Sequence, residues 1–489
     1  LKAKELVLLV RPISPNERFG LGPFFRVEPL GLEYVAATLR SAGYEVALID
    51  ERFAPSIEKV LRQLRPSFVG ISCMHTVDIG TTLNLARKIK RVEPTLPVFV
   101  GGHVVALYQE PFFDATIDAL ALGDAETTLI PFLRYWFEGR KGSVPIGFWV
   151  RREPGDGATH FEMGQAFEFD SDMNRIALPA RDLVEPYRKH YLCVHKQPLW
   201  ALETARGCPF RCSFCSTSLR NGRKCHTRDL SLVAEDFATV GKNVFVVDDL
   251  FFYPQNRSLE LANLLKRRGI RKDWLLVQTR LDTVARHPEV LEAWRGLSNH
   301  FDLFFGFEAP TNAQLSSLSK DMNVQAAEEG ISVARHYGFG VTGNFVIDPD
   351  WGKEEFSALW EMVDRLKLSR LGYTVLTPLP GTPLFTKMQH RIVERDFAKW
   401  DMHHLLYEPR LGREQFFELF VECWRRNVLS SRRAAPKILG WMRGLTPGQI
   451  LTLVRVLLRT QRMLNIQNYL DETFPLQVPA TLAEPQRPV

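Results

Sequence analysis

Three cysteines fall within eight residues of one another: Cys208, Cys212 and Cys215, in the stretch GCPFRCSFC at residues 207–215. Thiolates are soft ligands, and such a group points to zinc or to iron and sulfur. A structural zinc site closes with four ligands. Only three are local here, and Cys225 or His226 would have to supply the fourth. A 4Fe-4S cluster normally takes four cysteines. With three, one iron keeps an open position that can bind a substrate or cofactor. Taken alone, the residues leave both chemistries open. The remaining cysteines, Cys73, Cys193, Cys225 and Cys423, are scattered, and the total of seven is odd. That fits a reducing, cytoplasmic compartment better than a disulfide framework.

The elements around the cysteines give them an address. Strand patterns are predicted at 200–204, 244–247, 275–278, 303–307, 340–347 and 373–376, with helical patterns between them, as at 259–268 and 289–295. Six such units make a partial or full barrel, whose chemistry sits at the carboxyl ends of its strands. The cysteines directly follow the first of these strands. Asp248 and Asp249 end the second, Gln278 and Arg280 the third, and Glu308 the fourth. Each of these has a plain reading too, as a solvated residue on a barrel rim.

The first 140 residues alternate in the same way. Apolar runs at 6–10, 46–49, 68–72, 98–100 and 117–122 are separated by helical patterns at 31–41, 57–65 and 82–92. Short, fully apolar strands alternating with helices predict a parallel, doubly wound sheet. Ligands bind at the carboxyl ends of such sheets. The loops there hold Ser72-Cys73-Met74-His75, Gly101-Gly102-His103 and Gly123-Asp124-Ala125-Glu126. Glycines at these points let backbone approach a large ligand closely. The expected division is 1–140 for this front domain, 141–198 for a linker with a small hairpin, 199–400 for the barrel, and 401–489 for a helical region. Within the last, 449–464 reads as a helix apolar on one face, with Arg455, Arg459 and Arg462 on the other. It would pack on the barrel or, as the sharper alternative, touch a membrane surface.

Composition narrows the classes further. The chain has 489 residues, 45% hydrophobic and 24% charged, enough for two or three globular domains. A net charge of +6, with no run of five or six basic residues, does not indicate a nucleic-acid protein. No stretch of 18 uncharged apolar residues predicts a membrane span. Lys2-Ala3-Lys4-Glu5 leads into a short apolar strand, unlike a signal peptide.

The spacing Cys208-x3-Cys212-x2-Cys215, with an aromatic Phe214 before the last cysteine, resembles the signature of the radical S-adenosylmethionine (SAM) superfamily. The resemblance implies that the three cysteines hold a 4Fe-4S cluster whose open iron chelates the amino and carboxylate groups of SAM. Reductive cleavage of SAM then gives a 5′-deoxyadenosyl radical. It further implies that Phe214, Asp248, Asp249, Gln278, Arg280 and Glu308 lie near the cofactor. The aspartates would face the SAM amine and Glu308 the ribose or carboxylate region. The glycine-rich form of the second-strand motif is absent here. An electron donor such as flavodoxin or ferredoxin would be the partner.

A Rossmann-like domain ahead of such a barrel resembles the cobalamin (B12)-dependent branch, a match covering roughly residues 1–400. It implies that the corrin rests on Ser72, His75, Gly101, Gly102, Gly123 and Glu126. The stretches 27–33 (VEPLGLE), 267–272 (RRGIRK) and 348–351 (DPDW) look like hopanoid C-3 methylase and are similar in kind to bacteriochlorophyll side-chain methylases. The implied activity is transfer of a methyl group from methylcobalamin to an unactivated carbon of an apolar substrate, a polycyclic lipid such as a hopanoid or a tetrapyrrole. One SAM would supply the methyl group and a second the radical. The substrate cavity is expected near Phe251-Phe252-Tyr253 and Phe304-Phe305, residues that would otherwise be plain core. The loop at 11–18 departs from the branch, because it lacks the Asp-x-His-x-x-Gly histidine that binds cobalt in many of its members. The expectation is therefore a cobalt with no protein histidine on its lower face. Two rival readings remain: a radical SAM cyclase or rearrangement enzyme that transfers no methyl group, and a non-catalytic zinc-binding protein. The location would be cytoplasmic, with peripheral contact at the inner face of a membrane left open.

Overall fold

The computed structural model describes residues 5–15, 24–152, 160–167, 172–433 and 445–471. Residues 153–159 of the expected linker, the stretch 2–4 and residues 16–18 of the first loop lie outside the described residues.

Five parallel strands form the front sheet, in the spatial order Glu45–Asp50, Leu6–Arg11, Phe68–Ser72, Val98–Gly101, Ala119–Ala121. Their residues are almost uniformly apolar because helices cover both faces. Val7, Leu8, Leu9 and Val10 are all buried. Among these parallel strands the order reverses between Leu6–Arg11 and Phe68–Ser72. That reversal opens a crevice beyond their carboxyl ends, the usual ligand position in this architecture.

The expected linker at 141–198 is more than a tether. Phe148–Arg152 and His160–Met163 pair antiparallel and extend the front sheet past Ala119–Ala121. Phe148 stacks on Phe132 at 3.9 Å, so this hairpin shares the front domain's core. Residues 181–190 then form a strap between the domains. Arg188 bonds the buried Glu28 and lies 3.7 Å over the Trp200 ring, while Arg181 pairs with Asp236 on the barrel at 2.5 Å.

Six parallel strands form the second sheet in simple sequential order: Leu199–Leu202, Asn243–Val246, Lys272–Thr279, Ser298–Glu308, Gly340–Ile347 and Leu371–Val375. This is the partial (βα)6 barrel that the apolar runs predict. Alternation decides each side chain's direction. Phe301, Leu303, Phe305 and Phe307 point to the helix layer and join the main core. Phe304, on the opposite face, packs instead with front-domain residues, as does Phe245, whose ring meets Phe25 at 5.1 Å. The helix Arg413–Arg433 closes one side of the barrel through buried Phe416, Phe417 and Phe420.

Candidate functional site

The cysteine loop leaves the two-residue strand Ala205–Arg206, which pairs with His226–Thr227. Gly207 turns it with φ of +94°, and a Cβ there would collide with the Lys224 carbonyl, so only glycine fits. Its N–H donates to Asp249 Oδ2 at 3.1 Å. The far arm is hooked to the rest of the barrel. Ser213 N–H donates to Leu318 O, and Leu384 N–H donates to Ser213 O, both at 2.9 Å. Phe214 is an anchor: its ring joins the apolar cluster of Leu318, Leu376 and Leu384. The ring is only half-buried there, so part of it stays accessible beside the cysteines.

All three thiols are free and half-buried. Burial pushes Cys208 up to about 11, against a hydrogen bond from the Phe210 N–H. Burial also raises Cys212, but the Lys320 and Arg280 cations oppose it and favour the thiolate. Arg280 lies 3.7 Å over the Phe210 ring and pairs with Asp282 at 2.8 Å. Among the described residues, no three His, Cys, Asp or Glu side chains converge as a single metal ion requires. An iron–sulfur cluster makes no such demand, since each thiolate takes a different iron. Three soft donors on one short loop therefore suit a 4Fe-4S cluster.

The strand-end residues divide into two groups. Glu308 faces the loop from a left-handed backbone, φ +61°, just past a register slip in its strand. Strain of this kind gathers at functional sites. Lys320 Nζ holds its Oε1 at 2.8 Å, and Gly306 leaves the room for that carboxylate to fold back. Gln278 is half-buried on the same strand face as Trp274 and Leu276. Asp249 faces the loop through Gly207. Asp248 does not. Thr204 N–H and Oγ–H both donate to it, and it is buried. Its expected contact with the SAM amine is corrected: it ties the second strand end to the first. Burial, against these hydrogen bonds, lifts it to about 7. The aromatic segments are corrected as well. Phe251, Phe252 and Phe305 are buried in the helix-facing core, with Phe251 edge-on to Trp294 at 4.8 Å. Tyr253 and Phe304 are the partly accessible ones.

The front domain presents its carboxyl-end loops to this loop. His103 Nε2 lies 2.7 Å from Ser216 Oγ, one residue past the last cysteine. Burial, helped by the Arg220 cation, drops His103 to about 3, so it stays neutral. Asp124, 1% exposed, accepts from Arg206 at 3.0 Å and from Arg220 as well. These arginines flank the cysteine loop on its two sides. Glu126 also bonds Arg206, at 2.9 Å, so its expected role on a corrin is corrected to holding the barrel. Gly123 is corrected too, because the Phe167 ring covers the space a ligand would need. His75 is accessible to solvent yet enclosed by protein. That enclosure lowers its pKa while Asp78 opposes. Ser72 and Gly101 end neighbouring strands, and Cys73 N–H donates to Gly101 O at 2.7 Å. Gly102, φ +116°, lies so close to the Cys73 carbonyl that a Cβ would overlap it. His75, Ser72, Gly101 and Gly102 thus sit close together past the carboxyl ends of two neighbouring strands.

Sequence reasoning missed the tasks of His103, Asp124, Arg206, Arg220 and Lys320. Only the loop positions of the first two were visible, since their partners lie far along the chain.

Comparison with known proteins fits this geometry. Residues 23–132 match the B12 binding domain and residues 202–363 the radical SAM superfamily. The chain is 29% identical over 485 residues to hopanoid C-3 methylase of Methylococcus capsulatus, covering 96% of this chain and 90% of that one. It is 28% identical over 274 residues to bacteriochlorophyllide d C-12(1)-methyltransferase of Chlorobaculum tepidum, covering 53% and 58%. The fold matches the cobalamin-dependent S-adenosylmethionine radical enzyme OxsB, solved with aqua-cobalamin and S-adenosylmethionine. That match has a TM-score of 0.70 and 15% identity, over 94% of this chain and 71% of that one.

Proposed function

Since the chain joins a B12 binding domain to a radical SAM domain, and so belongs to the cobalamin-dependent radical SAM enzymes, we propose that it methylates an unactivated carbon of an apolar substrate. The substrate class we favour is a polycyclic lipid such as a hopanoid, with a tetrapyrrole next. The observation that carries this reading is the contact between the two cofactor faces. His103, Asp124 and Glu126 on the front rim grip Ser216, Arg206 and Arg220 around the cysteine loop.

When bound, cluster and SAM supply a carbon-centred radical, and the corrin supplies a transferable methyl group. The protein's own tasks are separate. Cys208, Cys212 and Cys215 would hold the cluster, with Arg280 and Lys320, each paired to a carboxylate, beside Cys212. Glu308, Gln278 and Asp249 lie on the side where SAM would sit. Ser72, His75, Gly101 and Gly102 would cradle the corrin. Phe304 and Tyr253, the half-buried aromatics of these segments, would be the ones free to meet an apolar substrate. An electron donor of flavodoxin or ferredoxin type completes the cycle. Among the described residues no helix is long and apolar enough to cross a membrane. We place the work in the cytoplasm, with peripheral contact at a membrane.

The test is a product count under anaerobic turnover with SAM, a reductant and candidate lipids or tetrapyrroles. A methylase forms S-adenosylhomocysteine, 5′-deoxyadenosine and a substrate heavier by one methylene unit. A cyclase forms 5′-deoxyadenosine without S-adenosylhomocysteine, and that result would replace this reading.

A further inference from the structure

The helix Pro447–Met463 opens with a capping box, in which Thr446 and Gln449 satisfy each other's backbone N–H groups. It is moored at both ends. Gln449 Nε2 donates to His195 O at 3.4 Å, and Met463 is buried with Tyr469, whose ring packs on Phe417 at 5.2 Å. Between these moorings the outer face is apolar. Leu451, Val454 and Leu458 are 51%, 43% and 59% exposed. Their spacing, i, i+3 and i+7, lays them in one stripe about 10 Å long. Arg455 and Arg462 are exposed beside it, each four residues beyond one of the leucines. The expectation of an apolar face turned in and a basic face turned out is thus corrected: the outward face carries both.

Charge shows what this face meets. Residues 423–470 contain nine Lys and Arg and no Asp or Glu. The rest of the chain holds 53 basic against 56 acidic residues, so this segment carries all of the net positive charge. A second copy of the chain would bring like charge against like. A single-stranded nucleic acid would want aromatic stacking surfaces, and the outward residues here are aliphatic. Aliphatic side chains flanked by arginines match the boundary between acyl chains and anionic headgroups.

We propose that this helix is a membrane foot lying in the surface of an anionic bilayer. Leu451, Val454 and Leu458 enter the acyl boundary, and Arg455 and Arg462 meet the lipid phosphates. The docking rests on exposure and charge, and only its purpose, access to a lipid-borne substrate, rests on the proposed function.

Flotation of the full, cofactor-loaded chain tests it, with vesicles of phosphatidylcholine alone or mixed with phosphatidylglycerol. The chain should float with the anionic vesicles at low salt, about tenfold less with neutral ones, and less as salt is raised. Leu451→Glu/Leu458→Glu should abolish flotation, and Arg455→Gln/Arg462→Gln should weaken it about tenfold. Both variants should keep the parent's iron and cobalt content, which separates lost docking from lost folding. The proposal is overturned if the parent stays down with anionic vesicles, if both variants float like it, or if single-stranded RNA displaces the vesicles. Failed cobalt or iron loading with intact flotation would instead count against the proposed function alone.

Discussion

The carboxyl-end rims of the two sheets use their polar residues in opposite ways. On the barrel rim they bind one another: Thr204 to Asp248, Arg280 to Asp282, Lys320 to Glu308. On the front rim they bind the other domain: His103 to Ser216, Asp124 to Arg206 and Arg220, Glu126 to Arg206. The strand-end residues of the barrel are therefore braced within their own domain, while the front loops nearest the cysteines take their position from docking. Chemistry at the cluster and transfer from the corrin should be separable by mutation.

The largest effect falls on the barrel side. Cys212→Ala should bring reductive SAM cleavage to background while circular dichroism stays that of the parent. Continued 5′-deoxyadenosine formation at the parent rate would remove the cluster from this loop. Asp124→Ala acts on the other rim. It strips a buried carboxylate from two arginines, a loss of roughly 3 kcal/mol. Arg206 keeps Glu126 and Glu203. Cleavage of SAM should survive while methylated product per 5′-deoxyadenosine falls about tenfold or more. An equal fall in both products would erase the distinction between the rims.

Asp248 sharpens the comparison through pH. Its folded pKa of about 7 lies above the unfolded value near 3.8. The folded state therefore binds the extra proton, and this stabilisation is present below the unfolded value and lost as pH rises to about 7. The window is worth on the order of 4 kcal/mol. Asp248→Asn should flatten that part of the stability profile between pH 5 and 7, measured by chemical denaturation. A variant profile parallel to the parent's would show that Asp248 does not titrate there. The smallest effect belongs to His103. With a pKa of about 3 it gives no pH break near neutrality, and His103→Gln, which can still bond Ser216, should change product coupling less than about threefold. A break near pH 6.5 that vanishes in the variant would contradict its neutral state.

Much of this is legible in the sequence itself. Cluster ligands must reach one centre from a short loop, so Cys208, Cys212 and Cys215 are written close together. Buried parallel strands are unbroken apolar runs, and Leu6–Arg11 or Gly340–Ile347 stand out for that reason. Pairs such as Asp124 with Arg220 are 96 residues apart and leave no local pattern. Asp248 and Asp249 are adjacent and identical in type. Only the turn past the strand end separates the one that Thr204 takes from the one that faces the loop. The sequence also could not distinguish Phe304 from Phe305, since their difference is the direction each points across one strand. The Gly, Pro and Asp of 141–198 suggested a small hairpin, but its place on the sheet edge comes from pairing with Ala119–Ala121, which leaves no local pattern.

One measurement reaches the central claim, that two cofactors face each other in one chain. The protein is reconstituted without oxygen with iron, sulfide and hydroxocobalamin, and its bound iron, cobalt and zinc are measured together. The account predicts about four iron and about one cobalt per chain, on a cysteine-held cluster and one corrin. Zinc in place of iron, or iron with no cobalt retained, would contradict it.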